Sequence, residues 1–268
     1  MSMPFIRPVA ARAATAFSRL WPALLSVGGL ILLWEAYARF SGIPPTTLPS
    51  PSRILEQGAL QYRALWDNTL PTISATLLGF ACSVSAAFAF SVLIDFFRPL
   101  RRALLPVFII SQTLPMIAIA PLVVLWFGFG LTPKIMLVAL VTFFPMLIAL
   151  LQGYASTADE IEQLVASMGA PRWRVFLIAR LPSAVPFFFA GLRIAITYAV
   201  VGAIFSEYAG AAKGLGIYIL NAKNNFRPDL VLAAVMVSAS LTLLLFGATI
   251  LIQRLSMPWL RLSGSDKP

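Results

Sequence analysis

The chain has 268 residues, 59% of them hydrophobic and 11% charged, with a net charge of +10 and a mean hydropathy of +0.87. A soluble domain carries about 25% charged residues, so this chain has too few solvated side chains to cover a globule of its size. A soluble enzyme, a disordered chain and a nucleic-acid-binding domain are excluded, and the basic excess is read as loop charge facing an anionic leaflet.

Two further absences narrow the chemistry. There is no histidine and one cysteine, Cys82, in an apolar stretch. No imidazole relay, His-ligated metal, CxxC knuckle or intrachain disulfide can form. The phosphate-cradling pattern GxxxxGK[ST] is missing, so the chain is not expected to hydrolyse ATP, to bind a cofactor or to hold a metal.

Runs without charge mark the predicted elements in chain order. Residues 20–34 are uncharged and the apolar stretch continues past Glu35 to Arg39. Further uncharged runs cover 68–94, 103–133, 135–158 and 230–253, and 181–206 carries only Arg193. A spanning helix needs about 20 apolar residues, which gives six spans near 20–38, 68–94, 104–126, 134–151, 186–206 and 230–252. The runs are continuous rather than alternating segments of about ten residues, which argues against a β-barrel. The fold class is all-α: one polytopic membrane domain over 20–253, flanked by an N-terminal segment 1–19 and a tail 254–268.

The intervening loops carry the signals for direction. A Pro-rich stretch, Ile43 to Pro51, opens the first loop, and Gly128-Phe129-Gly130 with Pro133 breaks the long run between the third and fourth spans. With the N-terminus inside, the inner side holds Arg7, Arg12, Arg19, Arg98, Arg101, Arg102, Arg172, Arg174, Arg180, Arg254, Arg261 and Lys267. The outer side holds Arg39, Arg53, Arg63, Lys134, Lys213, Lys223 and Arg227. The excess of basic residues places both termini in the cytoplasm. The N-terminal arginines, apolar run and Ala36-Tyr37-Ala38 mimic a cleavable signal, but Glu35 and bulky Trp34 stand where such a segment should stay small and uncharged.

The inner segment 152–185 is the most informative. Thr157-Ala158-Asp159-Glu160 predicts a capping box. Ile161, Leu164, Val165 and Met168 then come at i, i+3, i+4 and i+7, one apolar stripe. Gly169 stands where this short helix should stop, Pro171 lies two residues beyond, and Arg172, Trp173, Arg174 and Arg180 form a basic patch. Such a helix can lie on lipid, pack on the chain's own helix ends, or plug a groove on a partner. Physical reasoning leaves all three open.

Gly169 with Leu181-Pro182 at its distance resembles the cytoplasmic motif EAA-x3-G-x9-I-x-LP of ABC importer permeases. Gln163 stands for the Glu, with Glu162 one residue early; Leu164 and Val165 replace the two Ala, and Ala179 replaces Ile. Leu48-Pro49-Ser50-Pro51-Ser52, Pro115 with Pro121-Leu122, Trp126-Phe127-Gly128, Lys134 and Gly214-Leu215-Gly216 are similar to the nitrate, sulfonate and taurine branch. Phe188-Phe189-Ala190-Gly191-Leu192-Arg193 and Glu207-Tyr208-Ala209-Gly210-Ala211 resemble permeases for thiamin pyrimidine precursors.

The resemblance implies a bacterial inner-membrane importer working by alternating access. Two permease copies, two ATP-binding subunits that hold ATP and Mg, and an extracytoplasmic binding protein would complete it, with the bilayer as surroundings and no nucleic acid. It implies a coupling helix with ATPase-docking residues Glu160, Glu162, Gln163, Leu164, Val165 and Met168. Gly169 at the turn, with Ala170, Pro171, Arg172, Leu181 and Pro182 after it, belongs to the same loop. Sulfonate, taurine, nitrate and riboflavin are the alternative cargoes.

Pathway and gate residues are sought among polar groups within spans: Gln112 and Thr113 beside Pro115, Arg193, and Glu207 with Tyr208. Each has a structural alternative. Gln112 and Thr113 can bond neighbouring helices, Arg193 can snorkel or pair, and Glu207 can be an ordinary interfacial carboxylate. Phe96-Phe97 and Phe187-Phe188-Phe189 are read as membrane anchors. An ion-driven secondary transporter is the rival class, weakened by the lack of histidine and of acids within the spans. A membrane enzyme lacks any nucleophile–base pair.

Overall fold

The structure is a computed structural model and describes residues 9–258. Arg7, Arg261 and Lys267 of the orientation count, and most of the expected tail, lie outside the described residues. The elements are helices α1 (Val9–Phe40), α2 (Pro51–Leu60), α3 (Tyr62–Phe96), α4 (Arg98–Thr113), α5 (Met116–Phe127) and α6 (Leu131–Ala155). After them come α7 (Asp159–Ser167), α8 (Arg172–Val175), a π turn (Phe176–Arg180), α9 (Leu181–Tyr208), α10 (Leu215–Asn224) and α11 (Pro228–Ser256). No strand occurs among the described residues, as the charge-free runs require.

The chain divides into two compact units, residues up to 61 with 222–233, and residues 62–221 with 234 onwards. In the first, the Leu48–Ser52 motif acquires a physical meaning. Ser50 caps α2 by accepting from the Arg53 amide, and Pro51 occupies its first turn. The Glu35 carboxylate pairs with Arg39 and accepts from the Ser52 amide at 2.9 Å and hydroxyl at 2.7 Å. The acid that interrupts the first apolar run is therefore the anchor of the following loop. Asp229 draws Arg227 and Arg53 to 3.0 and 3.5 Å, and Arg227 also donates to Gln57.

The second unit is built on α3, α6 and α9. Lipid offers no hydrophobic drive for helices to associate, so close backbone approach through small residues holds them together. A Cβ on Gly153 would lie 2.6 Å from the Ala184 Cα, and one on Gly191 would lie 2.5 Å from the Ala149 Cβ. The cluster beside this seam contains Met146, Leu150, Tyr154, Phe176, Phe189 and Ala195. Within it the Tyr154 and Ser91 hydroxyls are 3.0 Å apart, tying α6 to α3.

Two expectations about the spans change. The described residues contain four helices long and apolar enough to cross a membrane, or up to five if one bent pair counts as a single span. That pair is α4 and α5, which occupy the expected straight span 104–126 and meet at 103°. Pro115 lacks an N–H and pushes Leu114 into an extended conformation, φ −73° and ψ 126°, so the helix cannot continue. The expected first span, 20–38, lies within α1. The fifth expected span begins earlier than read: α8, the π turn and α9 form one helical run from Arg172 to Tyr208.

Candidate functional site

The segment after α6 carries α7. Its start corrects the sequence reading, because the helix begins at Asp159 with Ala158 at the N-cap. The Thr157 hydroxyl is buried without a hydrogen-bond partner, so the capping box does not form. Asp159, Glu160 and Glu162 still lie in the first turn, where acids complement the helix dipole. The apolar stripe is outward: Ile161, Leu164 and Met168 are 50%, 63% and 80% exposed. Gly169 ends the helix at φ +80°, with its amide on the Ala166 carbonyl, and Pro171 caps α8. Arg172 opens α8, and Leu181-Pro182 sits inside the continuous helix rather than in a loop.

On the opposite side of α7, Glu162 and Gln163 face a cleft shared with Asp95, Phe96, Arg172 and Arg180. Arg180 Nε and Nη2 donate to the two Glu162 oxygens at 2.7 Å each. Its Nη1 donates to the Asp95 oxygens at 2.8 and 3.0 Å. The π turn that carries Arg180 is rooted by buried Phe176, whose ring meets Tyr154 at 5.1 Å and Phe96 at 5.3 Å. Asp95 stands out in the sequence only as the charge that ends a span, and nothing there links it to Arg180, 85 positions away.

The bend between α4 and α5 opens a cavity of about 600 Å³ against α6 and α9. Gln112 lines it together with Ser111, Gln152, Phe144 and Tyr198, and among the described residues no charged one takes part. A broken helix leaves main-chain groups without intrahelical partners, and at membrane depth these are tolerated where they line a cavity. Thr113 is turned to its own helix, donating to the Ile110 carbonyl at 2.8 Å. Gln152 escapes the sequence reading because it is read as the first residue of the inner segment, and Tyr198 because it is one uncharged residue in a long apolar run; only the distant break at Pro115 gives them a cavity to face.

The other pathway candidates lie elsewhere. Arg193 bonds back to the Phe189 carbonyl at 3.4 Å. Tyr208 packs edge-on against Phe205. Glu207 is not an interfacial carboxylate: it is fully buried, accepts from Thr72 at 2.9 and 3.1 Å and from the Gly216 amide at 2.7 Å, and faces Lys134 at 3.6 Å. Lys134, counted as an outer loop charge, is also buried and donates to the Lys213 carbonyl. Asn68 and Thr72 take the Gly214 and Leu215 amides. These bonds fold the 209–216 turn onto α3, α6 and α9. Glu207 itself has no exposed edge, while Lys134 also borders an open pocket with Phe129, Gly210 and Lys213.

Comparison with known proteins identifies a family. Residues 75–261 match the family model described as binding-protein-dependent transport system inner membrane component. A riboflavin transport system permease protein, RibX, of Chloroflexus aurantiacus is 36% identical, covering 89% of this chain and 91% of its own. The formylaminopyrimidine transport permease protein ThiX of Halalkalibacterium halodurans is 35% identical over 86% of this chain and 92% of its own. A taurine transport system permease protein, TauC, of Escherichia coli is 30% identical over 89% and 92%. A chain of the MetNI methionine ABC transporter, solved in inward-facing conformations, shares the fold at TM-score 0.59 and 18% identity, covering 74% of this chain and 97% of that one. This chain therefore belongs to the binding-protein-dependent transport system inner membrane components, the permeases of ABC importers.

Proposed function

We propose that two copies of this chain line the path of an ATP-driven importer in the bacterial inner membrane, with both termini in the cytoplasm. Two ATPase subunits dock below and an extracytoplasmic binding protein delivers the solute. The observation that carries the docking role is the stripe on α7, which presents Ile161, Leu164 and Met168 outward while the other side is held by Arg180. Leaving that much apolar side chain in water is unfavourable, by about 25 cal/mol for each Å², and a groove on a partner would remove it.

The cargo is a small neutral pyrimidine, a thiamin precursor. The relative named for formylaminopyrimidine transport supports this, and so does the cavity lining. Amides, a phenol, a serine hydroxyl and aromatic rings suit a planar heterocycle with donors and acceptors. A sulfonate, taurine or nitrate would bring an anion to a lining without a cation, where desolvation is costly. The test is growth of a thiamin-synthesis mutant on formylaminopyrimidine, which should depend on this gene and its ATPase. Indifference to the pyrimidine, with failure to use taurine or another sulfonate as sulfur source, rejects the cargo and leaves the permease reading. Uptake of radiolabelled riboflavin instead would assign the larger heterocycle.

A further inference from the structure

We infer that Arg180 is a positioning residue that makes α7, the inner end of α3 and the root of α9 move as one body, while the π turn absorbs the rotation. This rests on α7 being the ATPase-docking helix.

The geometry of one guanidinium carries the inference. Its planar set of five donors is divided between two carboxylates: a bidentate fork on Glu162 of α7 and one nitrogen shared by both oxygens of Asp95, the penultimate residue of α3. All three side chains are largely shielded, at 32%, 22% and 15% exposed. The cluster is therefore less screened than a surface pair. At 3.6 residues per turn, Glu162, Gln163 and Ala166 lie opposite Ile161, Leu164, Val165 and Met168. Glu162 thus belongs to the inner joint of α7 rather than to the face offered to a partner.

The covalent path from α7 alone would be a loose pivot, because Gly169 turns the chain in the left-handed region with nothing within 4 Å of where its Cβ would be. The Arg180 fork supplies a second connection between the same bodies and closes a triangle. Beyond the π turn, α9 cannot slide, since Ala184 is pressed against Gly153. In the turn itself Phe176 and Ala179 are buried, whereas Leu177 and Ile178 are exposed. A π turn holds one more residue than an α turn. Rewinding is taken up at exposed Leu177 and Ile178, with Phe176 and Ala179 as the packed points on either side. A pull on the outer face of α7 then reaches α3 through Asp95 and α9 through Arg180.

The experiment uses the full transporter with its ATPase, both permease copies carrying Cys82→Ser and one of them also spin labels on Phe97→Cys and Ser167→Cys. Both label sites are exposed. Double electron–electron resonance is recorded with and without ATP plus vanadate. With Arg180 present, the distance distribution should be narrow and unchanged between nucleotide states. Arg180→Gln should broaden it and make its centre move by several Å between states, with the ATPase still co-purifying. Arg180→Lys, which keeps the charge but not the fork, should fall between the two.

If Arg180→Gln assembles poorly, Glu162→Ala and Asp95→Ala each remove one arm, and each should broaden the distribution. A narrow, state-independent distribution in these variants overturns the inference. Loss of the ATPase from Arg180→Gln, with retention by Leu164→Asp, also overturns it, because Arg180 would then be part of the docking surface. ATPase retained by both variants rejects α7 as the docking helix but leaves the distance measurement able to judge the Arg180 joint on its own.

Discussion

Thr72, ten residues inside the start of α3, and Asp95, one residue before its end, are about 35 Å apart by the helix rise, and each is held by a charged group from elsewhere in the chain. Glu207 accepts from Thr72 and Arg180 donates to Asp95. Helix α3 is thus a strut tied by polar contacts at two distant points and along its length by α6 and α9.

The Thr72 end predicts a stability effect. Glu207→Ala removes the carboxylate opposite Lys134 and the acceptor of the Gly216 amide at a buried position. Breaking a buried pair from one side costs about 3–5 kcal/mol. Thermal unfolding in detergent should shift down by several degrees, and adding Lys134→Met should recover part of the loss because no unpaired ammonium remains. An unchanged midpoint in Glu207→Ala would show that this cluster does not hold the turn.

Docking predicts a separable defect. Leu164→Asp places a carboxylate on the exposed stripe of α7, away from the Arg180 fork. The permease should insert normally, since Leu164 is not packed within it. Burying an unpaired charge in a partner groove is costly, so the ATPase should no longer co-purify. Undiminished co-purification sinks the docking role.

The range of each signal decides how much was legible in the sequence. The apolar runs, the stripe from Ile161 to Met168, and Gly169 as a helix stop are local, and the structure places helices and the left-handed turn there. The capping box failed because Ala158 takes the N-cap and Thr157 is buried one residue too early. The break at Pro115 was present as a residue but hidden in an unbroken apolar run. The Asp95–Arg180–Glu162 joint and the Glu207–Lys134 tie join positions far apart in the chain, and no periodicity reports them. Charge counting misses the pairing of Lys134 for the same reason: a buried lysine with a buried acid looks like a loop charge until the fold pairs them.

Orientation is open to direct measurement. The basic excess predicts that a reporter fused after Pro268 behaves as cytoplasmic and one inserted within 44–52 reports the opposite side. The two reporters should never agree. A C-terminal fusion active only outside the cytoplasm overturns the arrangement.

The cavity predicts a charge-specific effect on transport. Gln112→Glu introduces an anion into a lining that has no cation, whereas Gln112→Ala merely removes one amide. Desolvating the new carboxylate and its mismatch with a neutral ring should lower formylaminopyrimidine uptake by about tenfold or more, and the alanine variant by a smaller factor. Both should insert and bind the ATPase as before, since Gln112 is far from α7 in sequence and lies on a different helix. Equal uptake by the glutamate variant and the unsubstituted chain would remove Gln112 from the path.

The turn at Gly169 predicts loss of coupling without loss of assembly. Its φ of +80° lies in the region that side chains with a Cβ rarely adopt. Nothing surrounds it, so a larger residue would be strained by its own backbone and not by a clash. Gly169→Val should cost about 1 kcal/mol or more in this conformation, enough to let α7 fray or seat at a different angle to Arg172. The stripe is untouched, so the ATPase should still bind and hydrolyse ATP. The quantity that should fall is formylaminopyrimidine moved per ATP consumed, measured together in proteoliposomes with the binding protein enclosed on the delivery side. Gly169→Ala should show a smaller drop, because a single methyl group tolerates the left-handed turn better than a β-branched side chain. If the valine variant moves as much solute per ATP as the unsubstituted chain, the angle set at Gly169 does not matter to transmission, and the Arg180 fork alone must fix the pose of α7.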